Sequence, residues 1–63
     1  MSDILQRTTG TEITFIANTP RAATWLLDHY GSSTVTYRFP NRNQMAADLR
    51  KKAKAAKLTV LPL

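Results

Sequence analysis

Thr19-Pro20 and Gly31 bracket a single helix between two alternating stretches, and this constrains the chain more than any other feature of its sequence. A threonine hydroxyl accepts from an orphan backbone N–H of a first turn, and proline fits the first helical position without losing a bond. Gly31 supplies a left-handed stop. Between them Ala22, Ala23, Leu26, Leu27 and Tyr30 fall within one stripe roughly 140° wide, while Arg21, Thr24 and Asp28 face the other way.

The flanking segments have a period of two. Ile13, Phe15 and Ala17 alternate with Glu12, Thr14 and Ile16, and Val35, Tyr37 and Phe39 alternate with Thr34, Thr36 and Arg38, as half-buried strands require. Pro40 ends the second of these. Asn41 is placed to cap a further helix, with Gln44 in the capping-box position. Met45, Ala46, Leu49, Ala53 and Ala56 give that helix a narrow apolar stripe as far as about Lys57. Leu58 to Leu63 reads as a short terminal strand whose Pro62 suits an edge.

The expected fold is a small α/β or α+β two-layer sandwich in the order β-α-β-α-β, with a three-stranded sheet and two helices on one face. Strands linked through a helix are ordinarily parallel, so parallel pairing is expected across the first helix. Residues 1–10 have no clear period and read as a flexible arm or an edge strand. If residues 3–8 pair as a hairpin with the first long strand, they add a fourth, antiparallel member. Residues 11–63 form the single α/β domain. Its other sheet face would carry Glu12, Thr14, Ile16, Thr34, Thr36 and Arg38.

A chain of 63 residues has room for one core. Hydrophobic residues at 43% and charged residues at 21% are those of a folded globular chain. Without cysteine, neither disulfides nor thiolate metal sites reinforce it, which makes a homodimer a reasonable expectation. No apolar run approaches the roughly 20 residues of a bilayer span, and Met1-Ser2-Asp3 lacks a signal-peptide pattern. These features predict a cytoplasmic protein without membrane partners.

The net charge of +5 is unevenly placed. Arg7 and Arg21 against Asp3, Glu12 and Asp28 leave the first 31 residues at −1, whereas seven basic residues against Asp48 put the remainder at +6. Arg38, Arg42, Arg50, Lys51, Lys54 and Lys57 are therefore the candidate contacts for DNA or RNA, through phosphates and independently of sequence. The same lysines also complement a helix dipole, and Asp48 can pair with Lys51 or Lys52. No zinc-finger ligands, aromatic ribonucleoprotein motif, GxxG loop or glycine-rich phosphate cradle accompanies them.

Ile16, Trp25 and His29 are the candidate residues of a protein interface, since tryptophan is enriched among residues that dominate binding energy. The competing reading has Trp25 covering the edge of its own core. One histidine and four scattered acids form no catalytic constellation, no metal ligand set and no cofactor site. We expect no enzymatic activity. The leading expectation is a small accessory or regulatory protein that acts by docking on a protein partner or on itself, ahead of nucleic-acid binding through the second helix. In length, basicity and layout the chain resembles the small accessory proteins of bacteriophages and mobile elements, a likeness of style that rests on no specific residues.

Overall fold

The computed structural model describes all residues, Met1 to Leu63. Its elements follow in the order β1 (Ile4–Thr8), β2 (Glu12–Ala17), α1 (Pro20–Tyr30), β3 (Thr34–Arg38), α2 (Arg42–Ala55) and β4 (Val60–Pro62). The strands form one sheet in the spatial order β3-β2-β1-β4. Both helices lie on the same face, as the one-sided alternation requires, and no helix is long and apolar enough to cross a membrane.

The first segment is the fourth, antiparallel strand that hairpin pairing of residues 3–8 adds, and it lies inside the sheet instead of forming a flexible arm or an edge. β1 pairs antiparallel with β2, placing Ile4 opposite Ala17 and Thr8 opposite Ile13, and parallel with β4, placing Ile4 opposite Val60. It is an interior strand, and Ile4 is fully buried. Its period is hidden in the sequence because Gln6 occupies a core-facing position at 9% exposure. Such burial requires hydrogen-bond partners. The Gln6 Oε1 accepts from Arg50 Nη1 at 3.2 Å, and its Nε2 reaches Thr8 Oγ1 at 3.4 Å.

Parallel pairing across α1 is also corrected, because β2 and β3 are antiparallel neighbours with Phe15 opposite Val35. The reason lies in where α1 starts and stops. Asn18 N–H donates to Asp3 C=O at 2.8 Å and Ala17 N–H to Ser33 C=O at 3.1 Å, so the chain leaves and re-enters the sheet at the same end. A helix that returns to its starting end reverses the strand direction. By contrast, α2 carries the chain from β3 to β4, which run parallel to each other on opposite edges of the sheet.

The helix limits follow the local chemistry. Thr19 is extended, and its Oγ1 accepts from Ala22 N–H at 3.1 Å; Gly31 has φ 77° and its N–H donates to Leu27 C=O. Asn41 makes no side-chain cap, because at φ −98° and ψ 11° it is not in the extended conformation a capping box needs. At the other end of α2, Lys57 adopts φ 62°, and Arg21 Nη2 donates to the carbonyls of Ala56 and Lys57 at 3.0 and 2.9 Å. That guanidinium closes the helix terminus from across the layer.

The core comprises Ile4, Ile13, Phe15, Ala22, Leu26, Ala46, Leu49, Ala53 and Leu58. Phe15 meets Tyr37 edge-on with centroids 6.3 Å apart. Three residues assigned to inward positions lie outside: Leu27 is 52% exposed, Met45 46% and Phe39 74%, the last because β3 ends at Arg38, before it. On α1 the core extends toward the opposite flank, where Trp25 packs against it.

Asp3 joins both termini to α1. Its carboxylate accepts from Thr59 N–H at 3.1 Å, Thr59 Oγ1 at 3.3 Å and Thr19 Oγ1 at 3.1 Å. The backbone hydrogen bond from Thr59 is the main cause holding its carboxyl below the usual value, aided by the two hydroxyls and Arg21 against a partial desolvation. A lowered folded value means the stabilisation exists above the unfolded carboxylate pKa and disappears as pH falls through the folded one. Asp3→Asn is therefore expected to lower the melting temperature at pH 7 and to match the parent as pH falls well below about 4. Thermal melts of both proteins across that range check this.

Candidate functional site

The sheet has one face covered by helices and one open. By register, the open face carries Leu61, Leu5, Ile16 and Thr34 in one row across the four strands. The next row is Arg7, Thr14 and Thr36, followed by Glu12 and Arg38. Solvated faces of antiparallel sheets are ordinarily polar, and the threonines here fit that pattern, with Thr14 Oγ1 3.2 Å from Thr36 Oγ1. The exception is the continuous apolar row Leu61–Leu5–Ile16. Leu5 and Ile16 are half-buried by their neighbours, while Leu61 is 46% exposed and Leu63, just beyond it, 68%.

Ile16 thus belongs to a surface the sequence only partly indicated. Leu5 and Leu61 escaped notice because their adjacency depends on the β1–β2 and β1–β4 registers. The available signal was the hairpin turn, closed by Thr9 N–H to Glu12 C=O at 2.9 Å and Glu12 N–H to Thr9 C=O at 3.3 Å. Pairing outward from that turn puts Leu5 opposite Ile16.

Trp25 and His29 lie on α1, in the layer away from Ile16, so the three do not form one surface. Their rings are 4.7 Å apart and tilted by 31°, and Tyr30 meets Trp25 at 5.9 Å. His29 Nδ1 lies 2.9 Å from Trp25 C=O, where an Nδ1–H donates. Trp25 is half-buried against the core and His29 is exposed.

The basic candidates also separate. Arg38 lies on the open face, its Nε 2.6 Å from Glu12 Oε2. Arg42 Nη1 donates to the carbonyls of Thr9 and Gly10 at 3.2 and 2.8 Å, clamping the β1–β2 turn to the start of α2. Arg50 holds Gln6. Arginine suits these roles because its planar fork presents several donors in fixed directions. Lys51, Lys54 and Lys57 are exposed and have no ion-pair partner. Asp48 pairs instead with Lys52 at 3.1 Å, an exposed i,i+4 contact whose hydrogen bond and charge raise the Lys52 pKa.

Where α1, α2 and β3 meet, the Tyr37 hydroxyl is raised above its ordinary pKa, chiefly by burial and then by Tyr30. The Tyr30 hydroxyl is buried without a hydrogen-bond partner. No cavity opens beside it, and no group of three or more His, Cys, Asp or Glu could hold a metal ion. The features available for recognition include the mixed open sheet face and the lysine-bearing side of α2. Comparisons with protein families, curated proteins and solved structures find no match for this chain.

Proposed function

We propose that the chain is a non-enzymatic accessory or regulatory protein that docks on a protein partner through the open face of its sheet. The observation that carries this reading is the apolar row Leu61–Leu5–Ile16, set across three adjacent strands and bordered by Arg7, Thr14 and Thr36, with the Arg38–Glu12 pair one row beyond. An apolar centre within a polar rim is the usual anatomy of a protein interface. Trp25 contributes on the other side of the molecule by covering the core.

The lysines of α2 support a second reading, sequence-independent binding to DNA or RNA. The favouring observation is that Lys51, Lys54 and Lys57 remain exposed and unpaired, whereas Arg42 and Arg50 are engaged with the protein itself. Phosphate contact by three lysines would give modest affinity with a correspondingly modest salt dependence.

Two variants separate the readings. Leu5→Lys/Ile16→Lys disrupts the apolar row, and Lys51→Glu/Lys54→Glu/Lys57→Glu reverses the charge of the helix. In affinity capture from cells expressing the protein, the first is expected to lose partners retained by the parent, and the second to keep them. Loss only with the lysine variant, together with salt-sensitive binding to nucleic acid at ~50 mM salt, would establish the second reading instead.

A further inference from the structure

The two edges of the sheet differ in what their backbones offer. On β4, the bonds from Ile4 N–H to Thr59 C=O and from Leu63 N–H to Gln6 C=O fix which residues bond inward. Val60 and Pro62 consequently point their backbones outward. Pro62 has no N–H to give, and β4 is only three residues long. Short length and proline are established protections of an edge against pairing.

The β3 edge lacks these protections. Ala17 N–H donates to Ser33 C=O, and Phe39 N–H to Thr11 C=O at 3.3 Å. Because bonded and non-bonded pairs alternate in an antiparallel ladder, Val35 and Tyr37 bond inward to β2, while Thr34, Thr36 and Arg38 turn their backbone groups outward. All three are exposed. Thr34 N–H is covered by Ser32 Oγ at 3.2 Å, whereas the amides of Thr36 and Arg38 have no acceptor. β3 contains no proline, glycine or lysine, and its register with β2 runs through five consecutive pairs without a bulge.

We infer that β3 pairs with β3 of a second copy of this chain, antiparallel about a two-fold axis at Thr36. In that register Thr36 of each copy exchanges N–H···O=C bonds with Thr36 of the other. Arg38 N–H of each donates to Thr34 C=O of the other, leaving the Ser32 bond intact. The charges are compatible, since Arg38 faces a threonine and its guanidinium is already paired with Glu12. Val35 and Tyr37 meet across the seam on the helix side, a β-branched–aromatic pair of the kind that stabilises sheets.

About 17 Å of paired strand covers far less than the roughly 800 Å² per partner of a standard interface. The dimer is therefore weak and concentration-dependent. It joins the two open faces into one continuous surface twice as wide. This pairing is independent of which partner that surface meets.

Hydrogen exchange measured against protein concentration tests the inference. At low concentration the Thr36 and Arg38 amides exchange freely. At about 1 mM, where an association of millimolar strength is appreciably populated, both are expected to slow several-fold as sedimentation reports the dimer. Thr36→Pro removes an outward donor without removing a β3–β2 bond, and is expected to keep the chain monomeric. If proline perturbs the strand, Thr36→Lys and Thr36→Glu provide the second test: each alone opposes pairing by like charge, and an equimolar mixture restores it with both amides protected. Monomer at every concentration, or a dimer in which these amides remain unprotected, would overturn the proposal. Neither result would bear on partner capture through Leu5 and Ile16.

Discussion

Phe15→Ala is expected to abolish the cooperative fold at room temperature or reduce it to a minor population. Phe15 is fully buried at the centre of β2, between β1 and β3, and is the largest side chain wholly enclosed by the core. Truncating a buried phenylalanine costs about 3–5 kcal/mol, combining lost transfer energy with the cavity left behind. A domain of this length has a total stability of only about 3–9 kcal/mol, so one substitution removes a large part of it. Phe15→Leu keeps most of the volume and should retain a cooperative transition at reduced temperature. Far-UV circular dichroism melts distinguish the variants, and an alanine variant melting within a few degrees of the parent would contradict this packing.

The opposite change at α2 should also have a large effect. Ala46 and Ala53 are fully buried where the helix faces the sheet, so a larger side chain meets filled space. Ala53→Leu is expected to cost about 1–3 kcal/mol by overpacking, lowering the melting temperature by about 4–8 °C per kcal/mol for a domain of this size. Lifting the helix also strains the bonds from Arg42 to Gly10 and from Arg50 to Gln6. The control is Ala47→Leu on the same helix, where the side chain is exposed and should leave the melt within a few degrees. Equal effects at both positions would mean that α2 does not seat on its alanines.

Features written in local chemistry were readable from the residues alone. Thr19, Pro20 and Gly31 delimit α1 because each acts through its own backbone or a neighbour's. The alternation of β2 and β3 and the Ala46–Leu49–Ala53 stripe report burial directly. Information carried across the fold was harder to read. Residues 3–8 are legible as a fourth, antiparallel strand, but a polar residue at a core-facing position, Gln6, hides the period and central place of β1 because its justification is Arg50, far along the chain. The antiparallel union of β2 and β3 depends on α1 returning to one end of the sheet, which no local period encodes.

The candidate site divided along the same line. Six basic residues are alike in a charge count, yet the structure gives them different work: Arg42 and Arg50 fasten the turn and the buried amide, Arg38 pairs with Glu12, and three lysines remain in solvent. Ile16 was visible as an apolar residue on a polar face. Its companions Leu5 and Leu61 became visible only with the strand registers. The likeness to phage accessory proteins remains one of size and charge, and the proposed docking role rests on the sheet face instead.

The most direct test of that role is photo-crosslinking from defined positions. A benzophenone amino acid replaces Thr14, in the middle of the open face, or Lys51, on the solvent side of α2. With the protein expressed in its own cells, irradiation is expected to give a discrete protein adduct from position 14 and none from position 51. An adduct to protein or nucleic acid from position 51, with none from position 14, would contradict docking through the sheet.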